Sequence, residues 1–282
     1  MDLEFKEKTY EKYFYGELCR QTQICYSPDQ CDEHFLGFDD AFFLPKEFLG
    51  GLHRFLRRSK WERRTGIKVA DLEHIAKDLS ARMPPFRFNL FVQYKRPQYM
   101  TLSTSKEWPY WQTPYYRYHL DPHQQKLLEA LDSTAAGEAA TVYASPSFRR
   151  TQDLWQHVEA SAVCQYSNIA SARLLAGHHR YTYTAPGFRG RGHSEPEDIE
   201  SVPFSELLGT TGTGRSLSFG ERLSETAVLI KQAVEELGLE KRLGQAISAI
   251  AAPEVMASEL VRSLVTIEAF KDEFGITTYM IG

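Results

Sequence analysis

Apolar residues recur along this chain in two rhythms. Tyr10, Phe14 and Leu18 fall four apart and define one face of a helix over about residues 5–23. Phe88-Asn89-Leu90-Phe91-Val92 is a short, nearly continuous apolar run, which predicts a buried strand over 87–95. Ala41-Phe42-Phe43-Leu44 predicts another near 39–44. Helical spacing fills about 46–58 and 69–81 between them, the second helix ending before Pro84-Pro85. Downstream, Tyr115-Tyr116-Arg117-Tyr118-His119-Leu120 alternates as a strand does, and Pro122 opens a helix to about Leu131. Thr141-Val142-Tyr143-Ala144 reads as a further buried strand, followed by a helix at 151–160 and a strand near 179–184. Residues 97–114 read as a Pro-, Trp- and Tyr-rich loop, Gly187–His193 as a Gly/Arg loop, and 194–216 as a polar, Gly-rich and mobile stretch. Leu223, Ala227, Ile230 and Val234 mark a helical region over about 218–272, a stripe that most often means core packing.

This order predicts an α/β fold in which helices cover a mixed sheet. Internal repeats are absent from the 282 residues, a length that suits one large domain or two small ones. The apolar content of 42% supports a real core, and no window approaches a transmembrane span. The opening MDLEFKEK is acidic and has no apolar signal region, which argues against secretion. Four cysteines in a chain this long fit free thiols in a reducing cytoplasm. With a net charge of −4, any nucleic-acid surface must be local. One such patch is the stretch His53–Arg64, where Leu49, Leu52 and Leu56 would dock a helix and leave Arg54, Arg57, Arg58 and Lys60 facing outward.

The chemistry concentrates where the strand over 87–95 ends. Side chains alternate with period two, so Gln93 and Lys95 share a face and Tyr94 takes the other. An amide and an ammonium at the end of an apolar strand are costly to place there without a use. Upstream, Glu33 and Asp39 precede the other apolar run, with Gly37 just before the aspartate and Asp40 duplicating the acid. Neighbouring strand residues face opposite ways, so only one aspartate enters a site, and Asp39 is preferred.

With Glu33-x5-Asp39 and Gln93-x-Lys95 followed by Arg96, residues 1–150 resemble the PD-(D/E)xK nuclease superfamily, in the QxK variant of Mrr-like restriction endonucleases. The resemblance implies a restriction-endonuclease-like α/β/α core with a central mixed sheet, a helical insertion over about 46–84 and a helical C-terminal region. It implies a nuclease-like domain over 1–200 and a linker with helices over 201–282. About fifty residues separate Asp39 from Gln93, more than the hairpin usual in that family, which is why an insertion is required. The implied activity is Mg²⁺- or Mn²⁺-dependent hydrolysis of DNA. Mg²⁺ takes oxygen ligands and activates water. Asp39 would ligate it directly, Gln93 through its amide oxygen, and Glu33 through a second ion or a metal-bound water, while Lys95 would hold the attacking water or offset phosphate charge. Arg54, Arg57, Arg58, Lys60 and Arg96 would meet the DNA backbone. Glu17 and Glu11 on the first helix compete with Glu33, Asp40 with Asp39, and His119 lies after QxK where this fold often brings side chains towards the scissile strand. The family suggests a prokaryotic antiviral-defence or restriction effector, partnered by an ATPase or sensor subunit or self-associating through its C-terminal helices.

Other readings compete. Lys95 also fits a strand-end lysine that snorkels to water, and Asp39 a turn residue. The scaffold also suits a binding or sensor subunit without catalysis, or an RNase. Gly209–Ser216 has the glycine spacing of a P-loop, but Arg215 replaces its lysine and no apolar strand precedes it. Cys19, Cys25, Cys31 and His34 lack paired zinc spacing. These two motifs are set aside.

Overall fold

The computed structural model describes residues 2–22, 25–27, 42–43, 85–210, 215–250 and 259–282. The expected insertion, the basic stretch 53–64, Glu33, Asp39 and Asp40 lie outside them. The chain forms two compact units, each discontinuous in sequence: Met1–Gln21, Phe91–Ser133 and Ala139–Thr210 make the first, and Thr22–Leu90, Thr134–Glu138 and Thr211–Gly282 the second. The sequence reading divides the chain once, near residue 200. Both units mix helices and strands, as the α/β reading expects.

In the first unit, helix α1 (Glu7–Gln21) buries the expected Tyr10, Phe14 and Leu18. The Tyr10 and Phe14 rings meet Tyr94 edge-on, at 5.8 Å and 5.5 Å. Tyr94 closes strand β3 (Phe88–Tyr94), every residue of which is buried, as a strand inside a sheet requires. The unit also holds β6 (Ala139–Pro146) and β7 (Ser167–Ser171), with β6 between β3 and β7. Lys95 N–H donates to Ala144 O at 3.0 Å, and Asn89 N–H to Glu138 O at 3.1 Å. Both chains advance six residues between these bonds, so β3 and β6 run parallel. β6 and β7 pair antiparallel, which makes this sheet mixed.

A second sheet in the same unit is antiparallel throughout, in the order β10-β9-β8-β5-β4. Its strands are β4 (Gln98–Met100), β5 (Tyr115–His119), β8 (Arg180–Tyr183), β9 (Arg189–His193) and β10 (Glu197–Glu200). Helices α2 (Trp108–Trp111), α3 (Pro122–Ala135), α4 (Thr151–Glu159) and α5 (Phe204–Thr210) and a 3-10 turn at Arg173–Leu175 also begin in this unit. One face of this sheet is a tyrosine layer. Tyr116 stacks on Tyr183 at 5.2 Å, and Tyr118 lies 5.4 Å from Tyr181. β9 meets that layer with Gly190, because a Cβ there would overlap the Tyr181 ring and hydroxyl.

The structure corrects several sequence expectations. The loop 97–114 contains β4 and α2, the Gly/Arg loop is β9, and the polar stretch 194–216 holds β10 and α5. β7 and the final strand have no counterpart in the sequence reading.

In the second unit, helices α6 (Phe219–Glu236), α7 (Glu240–Ile250) and α8 (Glu259–Phe274) pack together. The stripe Leu223, Ala227, Ile230 and Val234 is buried in α6. Strands β1 (Cys25–Tyr26), β2 (Phe42–Phe43) and β11 (Thr277–Ile281) join the start of β3 in the order β2-β1-β11-β3. Cys25 pairs with Ile281 and with Phe43, both antiparallel. Arg87 N–H donates to Ile281 O at 2.8 Å. Cys19, Cys25 and Cys164 are buried thiols outside any disulfide, in line with the reading of the cysteines. Among the described residues, no helix is long and apolar enough to cross a membrane.

Candidate active site

Gln93 and Lys95 stand together at the end of β3 in the first unit. Gln93 is 5% exposed. Its Nε2 donates to Tyr94 O at 3.0 Å, while its Oε1 is buried with no hydrogen-bond partner among the described residues. Burying an amide oxygen without a donor costs about 1–3 kcal/mol, so this atom is an acceptor held ready at a cost in stability.

Lys95 is drawn inward. Its Nζ donates to Gln124 Oε1 at 3.1 Å and lies 5.4 Å from the centre of the Tyr143 ring. Burial lowers its pKa, and the carboxylates of Glu7 and Asp121 oppose that shift. Asp121 caps α3: its Oδ1 accepts from the N–H groups of His123 at 2.9 Å and Gln124 at 3.0 Å. The Gln124 N–H is the chief cause that holds the Asp121 carboxyl below its ordinary value. Burial pushes Glu7 up, against the pull of Lys95; Glu11 raises it further, and the Arg96 N–H lowers it. Lys95 thus sits between the first turn of α1 and the first turn of α3. The snorkelling alternative does not describe this lysine, which bonds inside the fold.

The first-helix acids divide differently from expectation. Glu17 is buried, with Oε2 accepting from Cys164 N–H at 3.1 Å and Oε1 from Gln21 Nε2 at 2.9 Å. Oε2 thus holds α1 to the turn before β7, while Oε1 is engaged within α1 itself. Glu11 pairs with Lys8 at 3.1 Å. Glu7, which the sequence reading passed over, is the helix acid that acts on Lys95. Its signal was available: Glu7 and Glu11 are four apart, and so lie on one side of α1. Arg96 is exposed, but its Nη2 donates to the Leu3 carbonyl.

His119 belongs to a separate cluster, built on Glu107, which the sequence reading also missed. Glu107 is 1% exposed. Its Oε2 accepts from Tyr115 Oη at 3.0 Å and Arg117 Nη1 at 3.2 Å, and Oε1 lies 2.9 Å from Arg180 Nη1. Burial pushes this carboxyl up, but the Tyr115 hydroxyl and the two guanidiniums outweigh it and hold the group below its ordinary value. Nearby, His193 Nε2 lies 2.9 Å from Thr182 Oγ1, which also accepts from Trp111 Nε1 at 3.0 Å.

Burial lowers the His193 pKa to about 4, with Glu107 opposing and Arg180 and Arg191 reinforcing. The folded value lies below the unfolded one, so the unfolded chain takes up the proton first as pH falls. Stability present above about pH 6.5 is then lost on the way towards pH 4, and the expected loss is about 2 kcal/mol by pH 5. Urea unfolding at pH 7.5 and pH 5 checks this: His193→Gln should show a smaller drop than the wild type, and equal drops would remove His193 as the cause.

The second unit contains a cavity of about 310 Å³ lined by Asn89, Glu138, Arg215, Arg222 and Glu225 among others. Its guanidiniums are met by carboxylates: Arg222 lies 3.5 Å from Glu138 and 3.9 Å from Glu225, and Arg215 pairs with Glu225. Of the glycine-rich P-loop spacing, residues 211–214 lie outside the described residues. Ser218 N–H and Oγ both donate to Glu221 Oε2, at 2.9 and 2.7 Å, so the chain serves the start of α6 itself.

Among the described residues, no group of three or more His, Cys, Asp or Glu side chains is arranged to hold a metal ion. Asp39 and Glu33 are not among those residues. The buried, unpartnered Gln93 Oε1 is the observation that suits a hard cation, which takes neutral amide oxygens alongside carboxylates. Comparisons with protein-family models, with curated proteins and with solved structures find no match to this chain.

Proposed function

We propose that this protein is a metal-dependent endonuclease acting on DNA, with its catalytic centre at the end of β3 and a restriction-endonuclease-like core around it. The observation that carries the reading is the pairing, on one strand end, of a buried amide oxygen without a donor and an inward-drawn lysine. Asp39, Gln93 and Glu33 would hold Mg²⁺ or Mn²⁺, which when bound lowers the pKa of water and offsets phosphate charge. Gln93 offers an oxygen already stripped of water. Lys95 supplies positive charge in a partly desolvated setting, where it acts more strongly on a phosphate than it would in bulk water. Glu7 and Asp121 set the charge around that lysine, and Gln124 fixes its direction. The resemblance in the sequence implies a prokaryotic restriction or antiviral effector that works with a sensor subunit or as an oligomer, and the free thiols suit a reducing cytoplasm.

Supercoiled plasmid tests the reading. Wild-type protein should nick it with Mg²⁺ or Mn²⁺ and not with EDTA, and Asp39→Asn should remove the activity. Cleavage that persists in EDTA, or that Asp39→Asn leaves unchanged, would overturn it.

A further inference from the structure

The antiparallel sheet of the first unit has two unlike faces. Its register aligns Gln98, Arg117, Thr182, Arg191 and Asp198 in one row across the strands. The next row on that side is His119, Arg180 and His193. Period-two alternation sends these rows to the side opposite the tyrosine layer. This outer side is rich in cations. Arg117 and Arg180 share the single carboxylate of Glu107, so one guanidinium charge is left in excess. Lys106 adds another: it is exposed and makes no ion pair among the described residues. His119 and His179 are exposed beside them, with His179 Nδ1 2.9 Å from Ser194 Oγ. Both imidazoles are held below their ordinary pKa by burial first, and then by the surrounding cations. That is the response expected of groups in a positive potential.

An aromatic side chain stands over the same face. Tyr110 is 46% exposed, in a molecule where most tyrosines are buried. Its ring is held from below by the Arg191 guanidinium at 5.2 Å and by His193 at 5.7 Å. Trp111, next in the chain, lies 5.8 Å from the same guanidinium and is tied to Thr182. The exposed ring is therefore fixed in place, with a cation behind it.

We propose that this face binds single-stranded nucleic acid, with backbone phosphates on Lys106, Arg180, His119 and His179 and one base stacked on Tyr110. Arg191 pairs with Asp198 at 2.6 Å, so the excess positive charge comes from the Arg117–Arg180 pair and Lys106. A face of net positive charge beside a rigid exposed aromatic is the combination that single strands require. A base still paired in a duplex has no free ring face to offer Tyr110, so the aromatic selects for the unpaired strand. The site is distinct from the end of β3 and does not depend on cleavage there.

Fluorescence anisotropy with a short fluorescein-labelled oligothymidylate, in EDTA, tests binding apart from cleavage. Wild type should bind, with an affinity that falls as salt rises. Tyr110→Ala should weaken binding about 5- to 150-fold, the loss expected for one stacked base. Lys106→Glu should weaken it too and make the dependence of affinity on salt shallower. Both residues are exposed, so circular dichroism should show unchanged folding. The proposal fails if wild type does not bind, if Tyr110→Ala and Lys106→Glu bind as wild type, or if a duplex of the same length binds equally well with the same need for Tyr110. Binding that depends on Tyr110 in a protein that cuts no plasmid would leave this proposal standing and remove the nuclease reading.

Discussion

Lys95→Met is expected to reduce plasmid nicking by about 10²–10³-fold, the usual loss when one charge that stabilises a transition state is removed. Methionine keeps most of the side-chain length and apolar stem, so the packing against Tyr143 survives while the ammonium is lost. The protein should be no less stable for the change. Burial has already lowered the Lys95 pKa, which means the charged form is disfavoured in the folded state. The unfolded chain therefore binds this proton more readily, and at neutral pH the ammonium works against folding. A loss of cleavage with an unchanged urea midpoint would thus separate chemistry from structure. Lys95→Arg is the sharper control. It restores the charge, but a planar guanidinium does not reproduce a compact ammonium in the bond to Gln124 Oε1. Its activity should remain well below wild type. Full activity in Lys95→Met would remove the lysine from the mechanism.

Glu107→Ala is expected to destabilise the first unit by about 3–5 kcal/mol, measured by chemical denaturation at pH 7, as for other breaks in a buried ion pair. The carboxylate is the meeting point of a hydroxyl from β5 and guanidiniums from β5 and β8. Removing it leaves two half-buried cations facing each other without a counter-charge. The folded pKa of Glu107 lies below the unfolded one, so its contribution is present above the ordinary carboxylate range and is lost as pH falls through the folded value. Glu107→Gln should recover part of the loss by accepting from Tyr115. A change below about 1 kcal/mol in Glu107→Ala would mean that water replaces the carboxylate.

What was legible in the sequence follows from how local each signal is. β3 announces itself by an unbroken apolar run, and α1 by a stripe at fixed spacing, because both bury continuous stretches. Pro122 announces α3 because its missing N–H and fixed φ suit a first turn. β9 fails the same test. Arg189-Gly190-Arg191-Gly192-His193 alternates strictly, but the residues facing the core are glycines, since the Tyr181 ring fills the space at Gly190 and the His178 imidazole that at Gly192. An apolar scan therefore sees a loop. β10 offers only Ile199 to the core and otherwise faces water. Glu107 had no local signature either. It is a lone acid in an aromatic loop, and the cations that give it meaning come from positions 117 and 180. Glu17 shows the converse error. It flanks the right helical face, yet its role is set by a backbone N–H at Cys164, which no helical pattern predicts.

The pairing of β1 with β11 bears on how the chain reaches this state during synthesis. Cys25 cannot meet Ile281 until more than two hundred intervening residues have been made. At translation rates of roughly 5–20 residues per second, β1 waits on the order of ten seconds or more with its edge unsatisfied. Contacts of such sequence separation also close slowly once both ends exist. During that interval the nascent chain exposes a bare strand edge, which is a template for wrong partners. A chaperone that shields extended apolar segments would therefore be expected to raise the yield of folded protein, by protecting the second unit while it waits for its last strand.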